Sequence, residues 1–216
     1  MHPSSMALGP GVVSASPAEV LAAMEQLPAE LDWETVAPRI VPLFERVRPY
    51  PPNMPKRVQA IVGPGVTIGF GIDVGPAFIT VSPELLDSWS VTAGDLAAQS
   101  LANLHAIAAQ VRRSEVHRGP VGDIELEALQ TGRGIGSVLI LAPTELARIF
   151  PSGPGLFIAP MRDLLIRLPP EADPAEAAWL FAEIASGDPN CLTPRAFLFD
   201  GRDVLIESLA LPLLAA

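Results

Sequence analysis

The residues with the most evident chemical potential lie in the second half of the chain. Gly132-Arg133-Gly134-Ile135-Gly136-Ser137 sets three glycines at alternate positions ahead of a serine. Such a loop resembles a phosphate cradle, in which main-chain N–H groups converge on an anion. The spacing is G-x-G-x-G, however, whereas a dinucleotide fingerprint needs G-x-G-x-x-G, and the lysine of a P-loop is missing. The segment therefore reads as a turn requiring positive backbone φ angles, with Gly134 and Ser137 as ligand-binding candidates. Arg162-Asp163 is the second feature. The pair interrupts an apolar stretch just after Pro160, which places it near a sheet as a buried ion pair. Burying such a pair is costly unless its remaining hydrogen-bonding groups are met, so it either anchors a bent strand or contacts a ligand.

Asn103 and His105 border the apolar stripe of a helix. Asn103 is placed to satisfy the backbone of a neighbouring strand or to reach a ligand. His105 has no nucleophile or acid positioned beside it for proton transfer. The three histidines are dispersed, and neither H-x-x-x-H nor C-x-x-C spacing occurs, so no metal site is expected. Cys191 has no histidine near it and reads as a small hydrophobe at a strand entrance. Glu125 and Glu127 alternate onto one strand face, taken as the solvated one. No residue is assigned a catalytic role, and no cofactor is expected.

The elements that must hold these residues are legible from caps and periodicity. Ser16-Pro17-Ala18-Glu19 is a capping box with an N1 proline, opening a helix to about Leu27. Asp32 caps a second helical stretch from Trp33, where Val36, Ile40, Val41, Phe44 and Val47 form a stripe broken by Pro38 and Pro42. Four prolines make residues 48–55 a stiff connector. Val66–Val74 and Pro76–Val81 read as a β-hairpin or two neighbouring strands, followed by a short helix from Ser82. Thr92 and Asp95 open the longest helix, with Ala97, Leu101, Leu104, Ala108 and Val111 on one face and Arg112 and Arg113 at its negative end. A polar turn holding His117 precedes an alternating strand, Ile124–Leu129. Residues 137–150 read as a strand then a helix, or as one helix. Leu156–Ala159 and Leu164–Leu168 form an interrupted strand or a bent hairpin. Asp173-Pro174-Ala175-Glu176 opens a helix ending at Gly187. Ala196–Phe199 and Val204–Glu207 form a hairpin about Asp200-Gly201.

Paired strands with helices between the pairs predict an α+β fold. Its sheet is mixed or mainly antiparallel, with helices mostly on one face. Residues 1–15 are expected to form a flexible tail and residues 16–210 one domain. With 49% hydrophobic residues the chain can fill a core, and global disorder is excluded. The 14 basic residues against 24 acidic ones give a net charge of −10, which disfavours nucleic acid and anionic membrane surfaces as partners. No apolar run approaches the roughly 20 residues of a membrane span, and the N-terminus has no basic start of a secretory signal. A single cysteine fits a reducing cytoplasm.

Several local sequences follow one known pattern. They are Ile40-Val41-Pro42, Gly71-Ile72-Asp73, Thr80–Leu86, Ala102-Asn103-Leu104, Ser137 with Ile140-Leu141, Ile158-Ala159-Pro160, Arg162-Asp163-Leu164-Leu165, Leu192-Thr193-Pro194, Phe197-Leu198-Phe199 and Gly201. In this order they resemble the YtpQ-like family, bacterial proteins classed as a domain of unknown function, over roughly residues 36–206. The aromatic and acidic residues that the family carries ahead of Ser137 are replaced here by Gly134 and Ile135. The resemblance implies a shared fold and brings no activity with it. The expectation is a non-catalytic binding or interaction protein, with a protein partner or self-association. The alternative is an enzyme or small-molecule binder using a pocket near Asn103, Arg162 and Asp163.

Overall fold

Capping residues set most of the helix starts. Ser16 with Glu19 caps α1 (Pro17–Glu25), Asp32 caps α2 (Trp33–Val36), Ser82 caps α3 (Pro83–Trp89), and Thr92 with Asp95 caps α4 (Ala93–Ala108). The short α5 (Pro143–Ile149) begins at its proline, and Asp173 with Glu176 caps α6 (Pro174–Ala185). The computed structural model describes residues 16–26, 31–45, 56–63, 66–186, 191–192 and 195–210, with side chains as far as Val204. The expected tail, the proline-rich connector and the helix stop at Gly187 lie outside these residues. Among the described residues, no helix is long and apolar enough to cross a membrane.

The strands form two antiparallel sheets, so the fold is α+β. In the first, β3 (Val66–Asp73) lies between β1 (Ile40–Phe44) on one edge and, on the other, β2 (Gln59–Gly63) followed by β4 (Phe78–Thr80). In the second, the hairpins β5–β6 (Val116–Val121, Ile124–Gln130), β7–β8 (Gly155–Met161, Leu164–Leu168) and β9–β10 (Arg195–Phe199, Val204–Ala210) lie side by side in the order β10-β9-β7-β8-β6-β5.

Four local expectations are corrected. Ile40–Phe44 is a strand, not part of a helical stripe. Pro42 would break a helix, but it is tolerated on an edge strand whose outer side needs no N–H donor. The polar turn around His117 is strand β5, whose alternation is masked because it is a half-exposed edge carrying Pro120. Residues Ser137–Leu141 form a 3-10 turn that runs into α5, not a strand. In α4 the buried row is Leu96, Ser100, Leu104 and Ala108, while Leu101 is 37% exposed. Ser100 escapes notice as a core residue because it is polar; its hydroxyl donates to the Ala97 carbonyl within the same helix (2.9 Å). The carbonyls at the end of α4 are met from elsewhere in the fold. Arg148 of α5 donates to Ala108 O (2.7 Å) and Val111 O (2.9 Å), a role expected of Arg112 and Arg113.

The six-stranded sheet is buried on both sides, which explains its continuous apolar runs. Leu156, Ile158, Ile166 and Leu168 pack with Ala177, Leu180 and Phe181 of α6. Phe157, Ala159, Leu165 and Phe197 face the opposite way, into a core shared with the first sheet, α4 and the 3-10 turn. There Phe157 meets Phe150 and Phe199 edge-on, with ring centroids 5.1 and 6.0 Å apart.

On that inner face Glu127 and Arg167 stand opposite each other in register and are 5% and 7% exposed. Glu127 is therefore not on a solvated face. Its carboxylate accepts from Arg167 (3.1 Å), Arg118 (2.6 Å) and the Ser152 hydroxyl (2.9 Å). Arg167 spends its remaining N–H groups on the carbonyls of Ser152, Gly153 and Pro154. A Cβ on Gly155 would lie 2.8 Å from Arg167 Nε and from Leu168 O, so the ion pair requires glycine there.

Glu127→Ala should cost about 3–5 kcal/mol, because it strands a buried guanidinium, whereas Glu127→Leu combined with Arg167→Met should recover most of that loss. Equilibrium urea unfolding of the three proteins decides the matter; a double variant as unstable as the single one would refute it. The caps give a pH signature. Thr92 hydrogen bonds hold the Asp95 carboxyl below the ordinary aspartate range. A lowered folded pKa stabilises at neutral pH, and that stabilisation fades as pH falls through the lowered value. The stability gap between wild type and Asp95→Asn should thus be present at neutral pH and close towards about pH 2, as read from urea midpoints.

Candidate functional site

The turn of the β7–β8 hairpin is Arg162-Asp163, and it lies beside the glycine loop that leaves β6. Asp163 is 2% exposed. Its carboxylate accepts from the Thr131 hydroxyl, from Gly132 N (2.6 Å), from Ile135 N (3.1 Å) and from Gly136 N (3.0 Å). The loop is an anion nest, and the anion it holds is a side chain of the same protein. Gly132 and Gly134 have φ of +69° and +71°, and the loop they bend turns the N–H groups of Gly132, Ile135 and Gly136 inward, while that of Arg133 donates to the Thr131 hydroxyl (3.2 Å). Gly136 is required for another reason: a Cβ there would lie 2.8 Å from the Asp163 carbonyl carbon and oxygen.

Arg162 and Asp163 do not form the expected ion pair. The carboxylate is turned into the loop, while the Arg162 guanidinium lies over the Phe78 ring of β4, 6.0 Å from its centroid. Phe78 also closes against the loop, since a Cβ on Gly134 would meet its ring at 2.9 Å. Ser137 donates its main-chain N–H to the Arg162 carbonyl (3.0 Å). Two buried polar atoms have no hydrogen-bond partner among the described residues, Ser137 Oγ and Arg162 Nε.

Four of the sequence-predicted residues, Gly134, Ser137, Arg162 and Asp163, therefore meet at one corner of the fold. Asn103 belongs to a different joint. Its amide donates to the carbonyls of Ala37 (2.6 Å) and Ile40 (2.8 Å), and its oxygen accepts from Gln99 (2.9 Å). It fastens α4 to the start of β1. His105 is exposed on α4, and Cys191 is half-buried.

Three cavities border these elements. A polar recess of about 30 Å3 is lined by Glu45, Arg57, Phe78, Thr80 and Arg162, among others. An open groove of about 200 Å3 runs past Arg118, Glu125, Glu127, Ser152 and Arg167. An apolar pocket of about 20 Å3 lies between Phe44, Val66, Ala159, Leu192 and Phe197. The sequence reading missed Glu45, Arg57 and Phe78 as neighbours of Arg162, and Arg118 and Arg167 as partners of Glu127. One signal was present: Arg167 breaks the run Leu164–Leu168, just as Arg162-Asp163 breaks the stretch before it.

Asp163 accepts four hydrogen bonds, three on Oδ1 and one on Oδ2, and with the side chain buried these acceptors face the protein. Set against known proteins, the chain matches no family model, no curated protein and no solved structure.

Asp163→Asn should destabilise the fold by about 1–3 kcal/mol, since an amide turns donors towards donors. Arg162→Ala should stay within about 1 kcal/mol, the size of one cation–π contact. Urea unfolding compares the two, and hydrogen exchange at Ile135 and Gly136 reports the loop directly. Equal losses in both variants would restore the ion-pair reading.

Proposed function

We propose that this chain is a non-catalytic binding protein. The observation that carries this reading is the internal use of its polar groups. Asp163 is engaged by the glycine loop, Asn103 by three partners at the α4–β1 joint, and Glu127 by two arginines and a serine. A general base needs a lone pair open to the proton it removes, and these acceptors direct theirs at the protein. They support the architecture, and function then resides in surfaces and recesses.

The occupant of such a surface is a protein partner or a second copy of the chain. The net charge of −10 supports partners other than nucleic acid, and the single cysteine supports a reducing cytoplasm. The alternative, a small-molecule binder at Arg162, has one specific observation in its favour, the buried Nε without an acceptor. The YtpQ-like resemblance belongs to the same proposal. Its matched residues hold one another in place: Asn103 to Ile40, Ser137 to Arg162, and Leu192 to Pro160.

Protein recovered under native conditions from its own cells should carry a stoichiometric companion, read by native mass spectrometry and light scattering. The companion is a second 22.8 kDa chain, another protein or a small ligand. A bare monomer at every concentration would count against the proposal.

A further inference from the structure

We infer that the outer face of α6 is a docking surface for an arginine-bearing segment of a protein partner; the inference rests on the non-catalytic binding reading and names the partner's chemistry. One face of this helix packs on the six-stranded sheet, and Trp179 lies on the other, 43% exposed. A single half-exposed apolar side chain is ordinary on a protein surface. Its electrostatic surroundings are not.

Glu176 stands three residues before Trp179 and Glu183 four after it, so both flank the indole on one side of the helix. From Leu168 to Pro194 the chain carries Glu171, Asp173, Glu176, Glu183 and Asp188 and no lysine, arginine or histidine. The ion pairs among the described residues join arginines to Glu45, Glu127 and Glu145, so none neutralises α6. Asp173 and Glu176 are accounted for by the capping box at the helix start. Glu183 is not. It lies in the last turn, where no basic residue offsets it, and a carboxylate beside the negative end of a helix is unfavourable until a cation comes to it.

The carboxylate, the indole face and the carbonyl end of α6 all attract one kind of group, an organic cation. A divalent metal ion fits poorly: an indole offers it no ligand, and no three acidic, histidine or cysteine side chains converge among the described residues. A guanidinium fits best, because it stacks on the ring and donates two hydrogen bonds to a carboxylate. None of the three cavities includes a residue of α6, so this face gives a free small molecule no enclosure. The cation therefore arrives on a chain that makes further contacts, and the net charge of −10 speeds the encounter.

The test is calorimetric titration of the full chain, at physiological salt, with end-blocked hexa-arginine, hexa-lysine and hexa-glutamate peptides. Saturable binding of hexa-arginine is expected, with hexa-lysine weaker and hexa-glutamate absent. Trp179→Ala should weaken it about fivefold, the size of one exposed cation–π contact, and Glu183→Gln about twofold to fivefold. Glu34→Gln and Asp87→Asn, on α2 and α3, should bind as wild type does, because distant exposed charges are screened. Circular dichroism confirms that all four variants fold. Equal losses in all four variants, affinity unchanged by Trp179→Ala, or no binding of hexa-arginine overturns the inference. So does a wild-type dimer that Trp179→Ala dissociates without any peptide binding, which would assign the face to a second copy. A companion protein that native mass spectrometry still finds on Trp179→Ala would remove this face from the interaction and leave the broader reading standing.

Discussion

A carboxylate removed from water must regain its hydrogen bonds from the protein, and at Asp163 this requirement shapes a whole corner of the molecule. Four donors are needed, and the 131–136 segment supplies them by wrapping around one side chain. Two of its glycines take positive φ to turn the N–H groups inward, and a third clears the Asp163 backbone. The wrapped loop then delivers Ser137 to the Arg162 carbonyl and sets the start of the 3-10 turn that leads into α5. The G-x-G-x-G pattern is thus a consequence of a residue far along the chain. It has the form of a phosphate loop because an internal carboxylate and an external phosphate make the same demand on backbone donors.

This accounts for what was legible in the sequence and what was not. Helix starts were readable because a cap is local: Ser16 with Glu19, Thr92 with Asp95 and Asp173 with Glu176 are complete within four residues. Hairpins closed by short turns, such as β9–β10, were readable for the same reason. There Asp200 accepts from the N–H groups of Arg202 and Asp203. What failed was whatever depends on a distant neighbour. Edge strands β2 and β5 show little alternation, because one of their sides has no partner to demand it. Glu127 is indistinguishable from Glu125 until the register sets Arg167 opposite it. The Arg162-Asp163 dipeptide was singled out correctly, yet its two charges diverge to separate partners, and that divergence is invisible without the glycine loop and Phe78.

The two buried ionic arrangements follow different logic. The Glu127–Arg167 pair lies between strands of one sheet, where it exacts a desolvation cost that its close contacts offset without much surplus. Its effect is on register. A slip of β8 by one residue would turn Arg167 towards α6 and its apolar face and leave Glu127 without it, so the pair penalises the wrong pairing more than it rewards the right one. Asp163, by contrast, stands just beyond the last β6–β8 register pair, Gln130 with Leu164, and fastens the loop that leaves β6 to the β7–β8 turn; its neutral donors cost little to desolvate by comparison with a second ion.

Against these two completed arrangements, the recess at Arg162 stands out because it is incomplete. The same structure that gives one buried carboxylate four donors leaves a buried guanidinium N–H with no acceptor among the described residues.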